Sequence, residues 1–591
     1  MVEQLTPLDT QFLGRDSQVL VTGALILEQP TRGERLTHAR VVERVTSALG
    51  HSSRPRQRVA PSPLGVGPPI WDDDPDFDAR RHVRRVEIDH PLSVEEYQGV
   101  AADLLRDPFD LDHPPWRLDV VEELDGDRVG IVAAGHHVLG DAQGVFGFMV
   151  MLLLDLDPDA PLADITPWSP QPVSAREVVE DRVRDAVAGA REAVASARIP
   201  SLDALGRRVR EVAGALRLGW RLQHDPGRRA PFNVQVASHP RVRFYSQDQS
   251  EVRRLGRALT RATINDVLLA STAAGLRSWL APKGDEELFD YRAFVPVRRE
   301  LSAVEEGIGS PTTDTTAIVV PLPVTSPRPL AQIHQVFEAT ATAKGRGDAR
   351  HYDTLRDLVF RFSILPGVRR SMSNLLNAPE LYNLILSNFP GPPVPLYVRG
   401  AELVEFYPML SCADEDTVRI TITSIRGRLS WGIVSDWGDG PDLDRFVAGL
   451  DAWYEELRES VHTLEVVQSV PAFAALDPAD VERIVAACGR RMVRPGDVVV
   501  QQGDIGTEFF VIAAGTFEVT VDGVYTREMH LDDSFGEIAL VRDEPRTATV
   551  RARTDGCVYV IPRDVYVPVV TGDARASRLT EAVIARRAGS A

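Results

Sequence analysis

Two periods of hydrophobic residues alternate along the first part of the chain. The stretch "QVLVTGALILEQP" has the continuous apolar character of a buried strand, whereas "HARVVERVTSAL" repeats its apolar residues at helical spacing. The stretch "WRLDVVEELDGDRVGIVAAGHH" predicts two strands joined by a turn at Asp125-Gly126. Residues 131–134 are predicted as a buried strand and 145–154 as a buried helix, with a polar insert between them. The pattern therefore predicts an α/β subdomain over residues 1–165.

The next segment, residues 166–239, is predicted to be a linker followed by crossover helices. The stretch 156–173 is rich in proline and acidic residues, which is typical of a linker. A helical repeat of apolar residues returns at Ser174, and Pro200 divides it into two helices.

A second α/β block is predicted over residues 240–460. Here "ATINDVLLASTAAGLRSWL" predicts a helix, "FDYRAFVPVRRE" and "TTAIVVPLP" predict strands, and "TVRITITSIRGRLSWGIVSD" predicts a hairpin that turns at Arg426-Gly427. After about residue 466 the pattern changes to short strands broken by glycine turns, as in "RPGDVVVQQGDIGTEFFVIAAGTFEVTVDG". That pattern is typical of a small antiparallel barrel or roll, so a separate β domain is predicted over residues 466–585.

Composition narrows the class of protein. The chain has 591 residues, more than the ~250–300 at which a single core stops growing, so two or three domains are expected. A formal net charge of −19 argues against nucleic acid as a partner. Three scattered cysteines and an N-terminus without a signal-peptide pattern favour a cytoplasmic protein. The longest apolar run, Val145 to Leu154, is too short to span a bilayer core of ~30 Å, which leaves peripheral membrane contact open.

One segment carries the opposite charge from the rest of the chain. Between Arg198 and Arg229 there are eight arginines against three acidic residues, on an amphipathic helical pattern. Such a segment could lie on an anionic membrane or lipid-droplet surface. The simpler interpretation is a crossover helix whose arginines are solvated.

The polar insert "HHVLGDAQG" allows several kinds of chemistry. A metal site would need further ligands, and adjacent histidines on a strand point in opposite directions, which disfavours a shared metal. A hydrolytic triad would need a nucleophile, and the chain has no G-x-S-x-G elbow. A general base needs one imidazole with a pKa near the working pH and a partner that orients its ring. Two histidines at a strand end can also be ordinary core or surface residues.

Several motifs in one order resemble a known family. "HHVLGDAQG" is similar to the HHxxxDG motif of the bacterial wax ester synthase/diacylglycerol acyltransferase family, within the CoA-dependent acyltransferases. "TPLDTQFL", "PFDLDHPPWRLDVVEELDGDR", "TINDVLLA" and "LSNFPGPPVPLYVRGAELVEFYP" resemble further motifs of that family. The resemblance covers roughly residues 4–455. It implies a two-subdomain α/β fold of the chloramphenicol acetyltransferase type.

The resemblance also implies a mechanism. His137 would take the proton of an acceptor hydroxyl as that hydroxyl attacks the thioester carbonyl of an acyl-CoA. Asp141 would turn away and pair with an arginine, which holds the loop, and His136 would shape the loop. No tightly bound cofactor and no metal are expected.

Other residues are candidates through the same resemblance. The substrate-channel candidates are Asn265, Asp266, Asn388 and Gly391, and the two asparagines are the positions to test as oxyanion donors. The prolines and glycine of "FPGPP" are expected to fix a turn rather than to do chemistry. Two positions depart from the family pattern, Ala142 in place of the motif glycine and Pro115 in place of a leucine. Ala142 adds a methyl group that alters the acceptor channel or weakens the enzyme.

A second motif lies in the C-terminal domain. "FGEIALVRDEPRTATVRA" has a tight turn at a glycine, and a carboxylate and an arginine nine residues apart. It resembles the phosphate-binding cassette of cyclic-nucleotide-binding domains. By that resemblance Glu537 holds the ribose 2′-hydroxyl and Arg546 holds the cyclic phosphate, and the other cassette residues are Gly536, Ile538, Ala539, Thr547 and Ala548. Cyclic AMP is expected ahead of cyclic GMP. A roll that has lost its ligand is the alternative.

Together these features predict an acyl-CoA-dependent O-acyltransferase that makes neutral lipid and is regulated by a cyclic nucleotide. The product would be triacylglycerol from diacylglycerol, wax ester from a long-chain alcohol, or both. The expected partners are acyl-CoA, a lipid alcohol and the nucleotide. Acyl transfer to a polyketide or sugar hydroxyl is one alternative, and an acyltransferase-like pseudo-enzyme that senses nucleotide and binds a partner is another.

Overall fold

The computed structural model describes residues 3–5, 10, 13, 18–62, 68–140, 142–164, 168–195, 202–224, 227–258, 261–281, 288–298, 315–362 and 379–588. The helices are α1 (His38–Ala48), α2 (Ala79–His82), α3 (Val94–Leu104), α4 (Ala142–Leu153), α5 (Ala175–Ala195), α6 (Leu202–His224), α7 (Gln249–Gly256), α8 (Ile264–Leu280), α9 (Pro329–Arg346), α10 (Asp348–Phe362), α11 (Asp444–Gln468), α12 (Pro478–Ala487), α13 (Glu537–Arg542), α14 (Arg563–Gly572) and α15 (Ala574–Ala588). The strands are β1 (Leu20–Glu28), β2 (Gln57–Ala60), β3 (Ile70–Asp73), β4 (Val83–Arg85), β5 (Trp116–Leu124), β6 (Arg128–His136), β7 (Arg241–Asp248), β8 (Tyr291–Arg298), β9 (Thr315–Leu322), β10 (Leu384–Pro390), β11 (Tyr397–Val398), β12 (Ala401–Leu410), β13 (Val418–Ile425), β14 (Arg428–Ser435), β15 (Gly489–Val493), β16 (Val498–Val500), β17 (Glu508–Ala514), β18 (Phe517–Val521), β19 (Val524–Met529), β20 (Ser534–Phe535), β21 (Thr549–Ala552) and β22 (Gly556–Pro562).

The first sheet has the strand order β11-β12-β1-β6-β5-β4. β1 is buried on both faces and pairs antiparallel with β6 and β12, which explains its continuous apolar run. β5 and β6 form the predicted hairpin, and its turn holds Gly126 and Asp127 at φ angles of 76° and 58°. β12 belongs to the second α/β block of the sequence, so this sheet is built from both halves of the transferase-like region.

The second sheet has the order β7-β14-β13-β10-β8-β9. Its central strands β13, β10 and β8 run parallel, and antiparallel strands flank them on both sides. β13 and β14 form the hairpin predicted at Arg426-Gly427, where both residues have positive φ. These two sheets confirm the predicted two-part α/β fold.

The described helices cover these sheets. α4 packs its apolar face on the first sheet, where Phe148, Leu152 and Leu153 join the core that also contains Leu25 and Ile131. α6 packs on α10, and Arg221 of α6 forms an ion pair with Asp348 at 2.7 Å. As predicted, α5 and α6 are separate helices on either side of Pro200, which itself lies outside the described residues.

The C-terminal region is an antiparallel roll, as predicted. Its two four-stranded sheets have the orders β15-β22-β17-β20 and β16-β21-β18-β19. Apolar residues fill the space between them, including Phe510, Phe517 and Phe535. A second apolar cluster joins the end of α11 to α12, α14 and the sheet residue Phe509.

Compactness divides the chain into two units whose limits cross the predicted segments. The first unit contains Met1–Glu251, Gly275–Thr325 and Glu338–Gly449, and the second contains Val252–Ala274, Ser326–Phe337 and Leu450–Ala591. The nucleotide-type roll therefore shares a compact unit with the start of α8 and part of α9. The proposed segments 1–165, 166–239, 240–460 and 466–585 stay predictions. Among the described residues, no helix is both long and apolar enough to cross a membrane.

Candidate functional site

The two motif histidines lie where β6 ends. His136 is the last residue of β6, and His137 opens a single 3₁₀ turn, His137–Leu139, before α4 begins. The backbone N–H of His136 donates to the carbonyl of Pro115, and that of His137 donates to the carbonyl of Val19, both at 2.9 Å. Neighbouring segments therefore hold the backbone of both histidines. Asp141 lies outside the described residues.

The environment of His136 fixes its protonation. The side chain is fully buried, and its Nδ1 accepts a hydrogen bond from the backbone N–H of Val138 at 3.1 Å. Because Nδ1 accepts, the proton of the neutral ring is on Nε2. Burial, with a smaller contribution from nearby His137, lowers the pKa of His136 to about 4. His136 is therefore neutral near pH 7. His137 is partly exposed.

An apolar cavity, open to solvent on one side, lies against α4 and the first sheet, and its space together with the adjoining solvent amounts to about 470 Å³. Its lining comes from β1, β6, α4, β10, β12 and β13, and consists of Val21, Thr22, Gly23, Leu25, Ala133, Val145, Phe146, Met149, Val150, Leu153, Leu154, Phe389, Phe406, Pro408, Met409 and Thr421. The polar side chains in this lining are two threonines. Phe146 packs between Phe389 and Phe406, at ring-centroid distances of 5.9 and 5.0 Å. The helix that follows the histidine motif thus forms one wall of an apolar cavity.

Two of the channel candidates lie on β10 or just after it. Asn388 is a strand residue opposite Ile422 of β13, and Gly391 follows the strand. A Cβ on Gly391 would lie 2.3 Å from the carbonyl oxygen of Ser424, so only glycine allows this close approach of two backbones. This contact supports the interpretation of "FPGPP" as a structural turn.

The other two channel candidates lie in the first turn of α8. The Asp266 carboxylate accepts from the backbone N–H and the hydroxyl of Thr263, at 2.7 and 2.8 Å, and the Asp266 N–H donates back to that hydroxyl. This is a capping box, which satisfies donors at the helix start. Asp266 therefore has a structural task at this position. Asn265 precedes it in the same turn.

The cassette residues of the roll come together around a buried arginine. Arg546 donates to the carbonyls of Gly536 at 3.0 Å and Glu508 at 2.6 Å. Gly536 has a φ of 101°, and a Cβ there would lie 2.6 Å from the Arg546 guanidinium, so the turn requires glycine. Of the remaining cassette residues, Ile538 and Ala539 lie in α13, and Thr547 and Ala548 follow the arginine.

The cassette carboxylate already has a partner. Glu537 is almost fully buried, and Arg587 of the last helix, α15, forms an ion pair with it at 2.6 Å. The two residues are 50 positions apart, and Arg587 lies in an ordinary amphipathic helix, so no sequence signal marked it. Thr22, which lines the cavity, was also not predicted as a site residue, because it lies in an ordinary apolar strand.

Three family models match the chain. The wax ester synthase/diacylglycerol acyltransferase catalytic domain matches residues 5–268, and the C-terminal domain of the same family matches residues 314–458. The cyclic nucleotide-binding domain matches residues 490–570. The two acyltransferase models together cover more than two thirds of the chain.

Individual relatives agree with these models. The "Probable diacyglycerol O-acyltransferase tgs1" of Mycobacterium tuberculosis is 26% identical over 460 residues, covering 76% of this chain and 94% of the relative. The "O-acyltransferase WSD" of Acinetobacter baylyi is 26% identical over 393 residues, covering 65% and 81%. The solved structure of the wax ester synthase/diacylglycerol acyltransferase from Marinobacter aquaeolei VT8 matches with a TM-score of 0.55 at 20% identity, covering 78% of this chain and 99% of that one.

Proposed function

The chain belongs to the wax ester synthase/diacylglycerol acyltransferase family with an added cyclic nucleotide-binding domain, and we propose that it esterifies a lipid alcohol with the acyl group of an acyl-CoA. The observation that carries this proposal is the apolar cavity built on the helix that follows the two motif histidines. An almost wholly apolar lining suits a long acyl chain.

In the proposed reaction His137 is the general base. Its imidazole takes the proton of the acceptor hydroxyl while that oxygen attacks the thioester carbonyl carbon. The tetrahedral intermediate then collapses, the carbon–sulfur bond breaks, and the imidazolium returns the proton to the departing CoA thiolate. The products are an ester and free CoA, and no acyl-enzyme is required because the thioester is already activated.

The direct test is a purified-protein assay with radiolabelled palmitoyl-CoA and a panel of acceptors: diacylglycerol, a long-chain alcohol, a sugar and a polyketide-like alcohol. We expect labelled triacylglycerol or wax ester and an equal release of CoA. His137→Ala serves as the inactive control. Labelled product only with the sugar or polyketide-like alcohol would move the proposal to that acceptor class. If the protein binds palmitoyl-CoA but forms no labelled product with any acceptor, a pseudo-enzyme is favoured.

The roll is proposed to bind a cyclic nucleotide, with cyclic AMP preferred. Arg546 and Glu537 have the charges that suit a cyclic phosphate and a ribose hydroxyl, and both lie at the turn formed by Gly536. An arginine fork matches phosphate oxygens. Calorimetric titration with cyclic AMP and cyclic GMP would measure both affinities, and binding of neither nucleotide would return the roll to a domain that has lost its ligand.

Coupling of this domain to acyl transfer is supported by α11. This helix starts in the first compact unit and ends in the second without a break. Its last residues Val466 and Val467, followed by Val470, belong to the apolar cluster of the roll. Within the second unit, Trp453 of α11 donates to the side chain of Gln332 of α9 at 2.6 Å. The segment that leads into the roll is therefore a helix and not a flexible, glycine-rich linker.

The basic segment is proposed to rest on an anionic lipid surface, and α6 provides the face. Val209, Val212, Leu216 and Trp220 recur at intervals of three or four residues, and three of them are about 60% exposed. The opposite side of α6 is buried against α10, where Ala215 and Leu218 lie. Arg210 and Arg217 are exposed beside the apolar stripe. A cationic, Trp-containing apolar face on a protein of net charge −19 would orient it on anionic headgroups.

Sedimentation with vesicles tests this surface. We expect wild type to bind vesicles containing phosphatidylglycerol and to bind neutral phosphatidylcholine less, with the difference shrinking at high salt. The variant Leu216→Ser/Trp220→Ser should lose binding, and Val183→Ser, which alters an exposed valine of α5, is the matched control. Equal binding by both variants would contradict the assignment. A dimer of wild type that the double variant abolishes would instead identify this face as a contact between copies.

A further inference from the structure

Several buried polar atoms have no hydrogen-bond partner in the described part of the chain, and two of them lie on the neighbouring strands β1 and β6. They are Oγ1 of Thr22 and Nε2 of His136. The two side chains are 3% and 0% exposed, so bulk water does not reach them. About nine in ten buried polar groups in proteins have a partner, and each exception calls for an explanation. Leaving one such group unpaired destabilises the folded protein.

The strand register places these two groups on one face of the first sheet. Leu20 of β1 lies opposite His136 of β6, and Thr22 lies opposite Ala134. Residues directly opposite in an antiparallel pair share a face, and so do residues two apart in one strand. Thr22 and His136 are thus diagonal neighbours, a relation that corresponds to about 7–8 Å. Thr22 also lines the apolar cavity.

Both groups can donate, and both are neutral. Since Nδ1 of His136 accepts from Val138, Nε2 carries the ring proton. The hydroxyl of Thr22 rotates and can point its proton to whatever oxygen lies nearby. Ester formation from a thioester develops negative charge on the former carbonyl oxygen, and preorganised donors at that oxygen are usually a large part of catalysis.

We propose that His136 Nε2–H and Thr22 Oγ1–H donate to the thioester carbonyl oxygen and stabilise its negative charge in the tetrahedral intermediate. Both residues then touch a reacting atom and are catalytic. No proton moves between them and the oxygen: the two hydrogen bonds strengthen as charge develops and weaken when the carbonyl reforms. This inference rests on the proposed acyl transfer and adds the donors that the reaction needs. It gives His136 a task beyond shaping the loop.

The first test uses Thr22. Thr22→Val keeps the shape of the β-branched side chain but has no donor, and Thr22→Ser keeps the donor. We expect Thr22→Val to lower kcat about 10²–10³-fold with little change in KM for acyl-CoA, and Thr22→Ser to restore most of the loss. Wild-type kcat in Thr22→Val would overturn the role of Thr22.

The second test separates the two nitrogens of His136. His136→Gln places an amide nitrogen near the position of Nε2 but has no acceptor at Nδ1. His136→Asn places an amide oxygen near Nδ1, where it can accept from Val138, but has no donor at Nε2. A donor role predicts that the glutamine variant retains more activity than the asparagine variant. The reverse order, with both variants folded, would mean that His136 acts only on the loop.

Ligand binding distinguishes failure of this inference from failure of acyl transfer itself. An acyl-CoA analogue with a trifluoromethyl ketone presents an oxyanion-like oxygen, whereas an alkyl-CoA thioether has no such oxygen. Wild type should bind both, and Thr22→Val should lose affinity about 10²-fold for the ketone alone. Equal ketone affinity in wild type and variant contradicts the donor pair. Failure of wild type to bind either analogue contradicts the proposed acyl transfer, and the donor pair with it.

Discussion

The cavity site and the nucleotide cassette both bury polar side chains, but they treat them differently. In the cassette, the charged groups are paired inside the protein: Arg546 donates to two carbonyls, and Glu537 forms an ion pair with Arg587. On β1 and β6, Thr22 Oγ1 and His136 Nε2 have no hydrogen-bond partner among the described residues. The unpaired groups are neutral, and the paired ones are charged.

Physical costs account for this difference. An unpaired neutral donor costs about 1–3 kcal/mol, whereas an isolated buried charge costs several kcal/mol even after relaxation. A domain that waits for an effector must stay folded when empty, so its charges need internal partners. A catalytic site can hold neutral donors unpaired at a tolerable cost, and those donors are then already oriented for the transition state.

The largest expected effect concerns His137, the proposed general base. His137→Ala should lower the rate of acyl transfer by about 10²–10⁴-fold, because it removes the proposed general base. Thermal unfolding should be close to wild type, which shows that the loss is chemical. If His137→Ala keeps wild-type activity, His137 is not the general base.

Arg587 tests whether the buried charges of the cassette need their internal partners. Arg587→Ala leaves the buried Glu537 carboxylate without its ion-pair partner, which should cost about 3–5 kcal/mol of folding free energy in the second unit. Hydrogen exchange of the α13 amides, measured at increasing urea concentrations, would give this loss of folding free energy. Arg578→Ala, an exposed arginine on the same helix, is the control. Equal stability of the two variants would show that Glu537 does not need a partner.

The neutrality of His136 predicts a smaller effect that depends on pH. Its pKa is about 4 in the folded protein and near 6.5 when unfolded, so the unfolded chain binds a proton first as the pH falls. Stability is therefore complete above about pH 6.5 and should decline by about 3 kcal/mol as the pH approaches 4. Comparison of denaturant unfolding at pH 7 and pH 4.5 in wild type and His136→Gln isolates this contribution. A decline of the same size in both proteins would mean that His136 is charged in the fold.

Local features of the fold followed from the sequence, and long-range ones did not. The hairpins at Asp125-Gly126 and Arg426-Gly427 follow from turn residues between apolar runs, which are local signals. The insertion of β12 beside β1 was not predicted, because the pairing of strands distant in sequence depends on tertiary packing. In α5 the apolar residues Val179, Val183 and Val187 share a face, yet this face is exposed.

The same division holds for the sites. The motifs predicted that the histidine pair lies at a strand end and that Gly536, Glu537 and Arg546 lie at one turn. These residues are close in sequence, so a local pattern is enough to identify them. The partner Arg587 and the donor Thr22 lie far from those motifs and carry no pattern of their own. Burial and the absence of a hydrogen-bond partner, which only three-dimensional structure provides, single them out.

The central claim is that one chain joins an acyltransferase to a nucleotide sensor that changes its activity. The most direct measurement is the rate of acyl transfer as a function of acyl-CoA concentration, with and without saturating cyclic AMP, in wild type and in Arg546→Lys. Allosteric couplings of about 1–3 kcal/mol predict a change of about 5–150-fold in rate or apparent affinity in wild type. The lysine variant keeps the charge but not the fork, and should lose the response to the nucleotide. If calorimetry shows that wild type binds cyclic AMP while its rate and affinity stay the same, the sensor does not control the transferase.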